Sequence, residues 1–243
     1  MNEKKITKIH AIADFHLSFG TNKPMDLFGG HWTGYEDRIR NEWATRIGPD
    51  DIGVIAGDLS WAMKVHEGEG DFEFIRSLPG TKIIIRGNHD YWWDGIKQVR
   101  DIFGPTVHAL QNDAVKIDNV VFAGTRLWRV PERERPGSKP QSDQDKKLFD
   151  REAGRLELAL RDAKSKMADG DTLIAVVHYP PFNSMRDDSP YTKLMEQYGV
   201  DICIYGHLHG KGGRKQLSYT KNGIRYLLTS CDVLDFTPME IEI

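Results

Sequence analysis

Five short clusters hold the side chains of this sequence best suited to bind a metal or move a proton. They are Asp14-Phe15-His16, Gly57-Asp58, Gly87-Asn88-His89-Asp90, His178 and Gly206-His207-Leu208-His209. The ligands on offer are carboxylate, imidazole and one amide oxygen, with no thiolate. Such a mixed oxygen and nitrogen set suits Mn, Fe, Zn, Co or Ni, rather than a cysteine-rich structural zinc site or an all-oxygen calcium cage. Asp14 and His16 are two residues apart, which on an extended strand end points both side chains the same way, and His207 and His209 repeat that spacing. Glycines at 57, 87 and 206 permit sharp turns where ligands are delivered.

Each cluster follows a short apolar run. The runs Ile6–Ala13, Ile52–Ala56, Lys82–Arg86, Ala114–Ile117, Val120–Ala123, Leu173–Val177, Ile202–Tyr205 and Ile224–Leu228 suit strands buried on at least one face. Amphipathic helices are expected over Tyr35–Ile47, Asp71–Leu78, Asp94–Phe103 and roughly Gln144–Met167. In the last, Phe149, Ala153, Leu156, Leu160, Ala163 and Met167 step by fours and threes along one face. Asn222-Gly223 between Leu217–Thr220 and Ile224–Leu228 reads as a hairpin turn. Alternating strands and helices argue an α/β fold, and in open α/β sheets the loops at strand carboxyl ends line the functional crevice. Five groups distant in sequence would therefore meet at one place.

In this order, D-x-H, G-D, G-N-H-D, H and G-H-x-H, the clusters resemble the blocks of the calcineurin-like metallophosphoesterase superfamily, of the bacterial predicted-phosphohydrolase type. The resemblance runs from Asp14 to His209. It implies two mixed β-sheets packed as a sandwich and flanked by helices, the four-layer fold of that superfamily. It also implies two divalent metals, manganese favoured. Asp14, His16, Asp58 and His209 would hold one and Asp58, Asn88, His178 and His207 the other, with Asp58 bridging. Metals ~3.5–4 Å apart hold a hydroxide between them and clamp phosphoryl oxygens. Four positive charges, less two carboxylates and one hydroxide, leave one positive charge facing the phosphate. His89 would protonate the leaving oxygen. The superfamily's second block often runs G-D-x-x-D. Here Trp61 stands at the later position, so the group that orients His89 is not given by the pattern.

The expected activity is hydrolysis of phosphomonoesters or phosphodiesters. A small phosphorylated metabolite or nucleotide is the first expectation, a nucleic-acid end or strand the second and a phosphoprotein the third. A net charge of −3 lacks the basic surplus of a protein built to coat nucleic acid. One rival reading, a non-catalytic binding module on the same fold, would be favoured by loss of ligands or of His89, and all are present. A second is a metal-sensing or storage role, which turnover of a generic phosphoester would dispose of along with the first. The 243 residues fit one domain, 1–243, with loop insertions near 17–34 and 129–142. The first insertion carries Phe19, Phe28 and Trp32, and the second Pro131, Pro136 and Pro140. No apolar run approaches the ~20 residues of a membrane helix. Met1-Asn2-Glu3-Lys4-Lys5 leads into a strand without a signal-peptide pattern, and Cys203 and Cys231 give no disulfide framework, so a cytoplasmic protein is expected. The oligomeric state is not encoded in any of these patterns.

Several residues carry two readings. Asp90 either orients ligands or caps a helix at Tyr91–Gly95. Trp61, Tyr91, Trp92 and Trp93 either pack or form a stacking wall for a ring-bearing substrate, with Arg126 and Trp128 on the same rim. Lys211, Arg214 and Lys215 read as a solvated basic hairpin or a contact for a second phosphate. His10, His31, His66 and His108 lie outside the blocks and read as structural.

Overall fold

Alternation along the strands decides the layers. In β3 (Thr81–Ile85), Ile83 and Ile85 join one apolar cluster while Ile84 joins another. In β7 (Thr172–Val177), Ile174 and Val176 part in the same way from Leu173, Ala175 and Val177. A strand's side chains point to opposite faces in turn, so each sheet here is apolar on both. The structure, a computed structural model, describes residues 7–133, 141–210 and 216–243.

One sheet contains β1 (Ile9–Ile12), β2 (Ile52–Ile55), β3 and β4 (Val107–Leu110), all parallel, with β11 (Met239–Ile241) antiparallel along the free edge of β1. The other runs β5 (Asp113–Ile117), β6 (Val120–Thr125), β7, β8 (Ile202–Tyr205), β10 (Ile224–Leu228) and β9 (Ser218–Lys221), with β5 and β9 as antiparallel edges. A dry layer joins the sheets, with Ala11, Val54, Ile83 and Ile85 facing Phe122, Ile174, Val176 and Ile204. Helices α1 (Tyr35–Arg46), α2 (Glu69–Ser77) and α3 (Ile96–Phe103) cover the outer face of the first sheet. Helices α4 (Asp143–Lys166) and α5 (Pro190–Gln197) cover that of the second. The expected sandwich of two mixed sheets between helical layers is thus observed. Among the described residues no helix is long and apolar enough to cross a membrane, and both cysteines are free and buried.

The expected elements shift by a residue or two at their ends, and α4 uses Ser142 as its cap, accepting from the Asp145 N–H. Ala153 and Met167, placed on the buried face of that helix, are only partly buried, while Glu152 and Ala159 are buried in it. Asn222 and Gly223 make the expected turn, both with positive φ (51° and 84°). Strands β4 and β11 and helix α5 were not anticipated. The segment expected to end in strand at Ala13 leaves it earlier. Ala13 instead crosses to the second sheet, donating to the Thr229 carbonyl (2.7 Å) and accepting from the Cys231 N–H (2.9 Å). Ile6, Pro136 and Pro140, and with them Lys211, Arg214 and Lys215, lie outside the described residues.

Candidate metal centre

The first sheet delivers Asp14 and His16 after β1, Asp58 after β2 and Asn88 and His89 after β3. The second delivers His178 after β7 and His207 and His209 after β8. All five clusters therefore converge at strand carboxyl ends, on the seam made by Ala13.

The local backbone differs from the expected extended ends. Asp14, His16, Asp58 and His207 all have positive φ, at 61°, 49°, 53° and 71°. Such conformations cost non-glycine residues of order ~1–3 kcal/mol each and persist where surroundings fix them. Here the Gly57 and Asp58 carbonyls accept from the N–H groups of Asp14 and His16 (2.9 Å each), and the Asp14 carboxylate accepts from the His207 N–H at 3.0 and 3.1 Å. Asp14 and His16 both reach the centre, but through interlocked loops and not by strand alternation. Of the three glycines, Gly57 alone has positive φ (90°). At Gly87 a Cβ would overlap the Asp58 carboxylate, and at Gly206 it would lie 2.6 Å from Asp14 Oδ2, so these two are small to let ligands approach.

Asp14 and Asp58 are almost fully buried, as are His16 and His178. Asp58 Oδ2 lies 3.7 Å from His16 Nε2 and 3.4 Å from His178 Nε2, between the two halves of the site. Asp14 Oδ1 lies 3.7 Å from His209 Nε2 and 3.9 Å from His178 Nδ1. His16 Nε2 and His209 Nε2 are 3.3 Å apart, and Asn88 Oδ1 is 2.8 Å from His178 Nε2. Two groups of ligand atoms close enough to share an ion result, Asp14 with His16 and His209, and Asp14 with Asp58 and His178. His207 joins neither; its ring stands 5.2 Å from that of His178 and 4.2 Å from Tyr179.

Hydrogen bonds fix which nitrogens face inward. His178 Nδ1–H donates to the Ala56 carbonyl (3.0 Å) and His209 Nδ1–H to Asp232 Oδ1 (2.9 Å), so both turn Nε2 to the centre. Asp232 Oδ2 also accepts from the Gly210 N–H (2.8 Å). Burial raises the Asp14 carboxyl against the pull of His209 and His178. Burial raises Asp58 too, but His178 and His16 outweigh it and hold that carboxyl well below the usual range. Burial lowers His16 to about 3, and burial with the His178 charge lowers His207 to about 4. Burial likewise opposes protonation of His178, yet Asp58, Asp14 and the Ala56 carbonyl push it up to about 9. Lone pairs of imidazole, carboxylate and amide oxygen thus converge where positive charge is drawn in, a donor set that fits divalent metal ions.

Asp90 settles its own case. There is no helix at Tyr91–Gly95 for it to cap. Fully buried, it accepts from the N–H groups of Leu59, Ser60 and Gly87 and from Trp92 Nε1, clamping the Asp58 loop to the Asn88 loop. His89 is half-buried, its N–H donating to Asp58 Oδ1 (2.7 Å), and its ring lies against Trp61 with centroids 4.3 Å apart. The Trp61 indole, tilted 53° to the imidazole, therefore borders His89 where a carboxylate was sought, and Nδ1 has no hydrogen-bond partner among the described residues.

Trp92 and Trp93 are no substrate wall. They are 2% and 0% exposed, and Trp92 packs against Phe72 and Phe103. Trp61 does border a cavity of about 390 Å³, but its fellow walls come from the 17–34 loop, namely Met25, Phe28, His31 and Trp32. His31, expected to be structural, belongs to this lining. A second cavity of about 410 Å³ opens on the His207 side, with Tyr179, Asn183, Arg129 and Arg186. Trp128 backs Tyr179 (5.2 Å), while Arg126 faces Glu152 at 3.8 Å.

The calcineurin-like phosphoesterase family matches residues 7–211, and the chain belongs to it. No curated protein sequence matches the chain. Among solved structures, a Thermus thermophilus protein superposes with a TM-score of 0.60 at 12% identity, covering 98% of this chain and 99% of that one. The phosphopantetheinyl hydrolase of Mycobacterium tuberculosis gives 0.53 at 13%, covering 92% and 89%. A protein of unknown function from Aquifex aeolicus gives 0.50 at 14%, covering 97% and 96%. At these identities the likeness speaks for the fold.

Proposed function

We propose that this phosphoester hydrolase uses two divalent metals. Asp14, His16, Asp58 and His209 would hold one, and Asp58, Asn88, His178 and His207 the other, with manganese the first candidate. The observation that carries the reading is Asp58 Oδ2 between the inward nitrogens of His16 and His178, 3.7 and 3.4 Å away. Such metals would supply Lewis acidity to phosphoryl oxygens and acidify an attacking water. The protein's own share is positioning. Asp90 fixes the loops that carry Asp58 and Asn88, Asp232 fixes the His209 tautomer, and Trp61 holds His89 beside the centre, where its ring can give a proton to the departing oxygen. The substrate is a small phosphorylated metabolite or nucleotide, as mono- or diester, handled by one domain in the cytoplasm.

A screen of metal-reconstituted protein over mono- and diesters of nucleotides, sugars and lipids tests the activity, and Asp58→Asn tests the centre. The variant is expected to lose activity and metal together, because it removes a charge shared by two cations. Two metals per chain with full turnover in Asp58→Asn would sink the bridging assignment.

A further inference from the structure

We infer that the cavity walled by Met25, Phe28, Trp32 and Trp61 receives the leaving alcohol, and that this alcohol carries an aromatic ring poor in hydrogen-bonding groups. The inference rests on the phosphoester hydrolysis proposed above. His16, His89 and His209 form the floor of this cavity, so a group placed in it is attached at the metal centre and lies on the side of the proposed acid. The step forms a P–O bond to water and breaks the P–O bond to the alcohol, whose oxygen keeps the electron pair. It takes up a proton from His89, which water's own protons replace.

The walls select against polar groups. Trp61 Nε1–H already donates to Met25 Sδ (3.2 Å), and Asp232 already accepts from His209 and Gly210. Apart from His31, the side walls offer a sugar hydroxyl carbon and sulfur in place of water, so most of its hydrogen bonds would be lost there. The shape favours flat rings. Trp61 is itself stacked on His16 (4.8 Å, 23°) with the Lys23 ammonium 4.8 Å from its ring centre, and Trp32 stands at 67° to His16 and at 51° to His209, so it is ring edges and the Trp32 indole that bound the space. Phe28, one of the walls, is 66% exposed, an apolar lip beside the histidine floor.

The test compares three primary-alcohol leaving groups of similar basicity, 2-naphthylmethyl, octyl and glyceryl, each as a monoester and a methyl diester, with metal-loaded protein. The naphthylmethyl ester is expected to exceed the glyceryl ester in kcat/KM by about 10-fold or more, and to exceed the octyl ester. Phe28→Ala, which truncates an exposed side chain and spares the core, should shrink that preference by about 2- to 12-fold. Free 2-naphthylmethanol should bind, by titration calorimetry, with an affinity that the same variant weakens. Equal rates for the three esters, a preference for octyl or glyceryl, or a preference untouched by Phe28→Ala would overturn the inference while leaving phosphoester hydrolysis standing. If none of the esters is hydrolysed, the hydrolase reading falls first and this one with it.

Discussion

Replacing Asp232 by Asn should weaken metal binding without disturbing the fold. Its two carboxylate oxygens accept from His209 Nδ1–H and the Gly210 N–H, at 2.9 and 2.8 Å. An amide offers one acceptor to these two donors, so whichever it serves, the other faces an NH₂ group. If His209 keeps the oxygen, its bond loses charge assistance, a change of about 1 kcal/mol. If Gly210 keeps it, the ring must turn or change tautomer, and Nε2 no longer points at Asp14. The first case predicts about a 5-fold loss of metal affinity, and the second approaches the ~100-fold known for groups that orient metal-bound histidines. Competition with a chromophoric chelator measures the affinity, and circular dichroism checks the fold. An Asp232→Asn protein that binds metal within 2-fold of the parent would refute the reasoning, and Asp232→Glu should recover part of the loss.

Three other outcomes follow from the geometry. His89→Ala, loaded with metal, should lose on the order of 10²–10⁴-fold on alkyl esters and much less on p-nitrophenyl esters, whose leaving group needs no acid. Equal losses on both would assign His89 to phosphate positioning, not proton donation. Asp90→Ala should lower the urea midpoint sharply, since its four N–H donors each lose an acceptor worth about 1 kcal/mol or more; an unchanged midpoint would contradict the clamp. Trp92→Ala should destabilise the fold by roughly 3–5 kcal/mol, whereas Trp61→Ala, partly exposed at the cavity, should spare the fold, raise KM and, by releasing His89, lower kcat on alkyl esters. Reversal of those two phenotypes would put the wall back on Trp92.

The strands that bear ligands were legible because each combines a buried apolar run with a break into glycine or a polar residue. β4, with His108 inside a four-residue run, and the three-residue β11 fall below what such a pattern resolves. α5 did leave a signal, Ser189 followed by Pro190 and Thr192, which is the N-cap, first-turn proline and capping pair now seen. Asp232 left none, since it meets His209 only because the chain after β10 crosses to Ala13. Trp92 and Trp93 took the packing one of their two readings, for a related reason. They directly follow the Asn88-His89 pair, yet beyond the strand end adjacency in sequence no longer says which way a side chain points. Trp32 and Phe28 sat far from any block, and only folding of the 17–34 loop brings them to the floor made by His16 and His209.

The seam at Ala13 has a consequence for assembly. Asp14, His16, Asp58 and Asn88 ride on one sheet and His178, His207 and His209 on the other, and residue 13 is joined to residues 229 and 231. Pairing of such distant segments carries a high loop-closure cost and comes late in folding. The candidate metal centre is then among the last features completed, and a growing chain first holds only the first sheet's share of it, without His178, His207 and His209. Once both sheets are in place, any ion spanning them acts as a rivet, and binding free energy becomes resistance to their separation, about 2.7 kcal/mol for metal at 100 times its Kd.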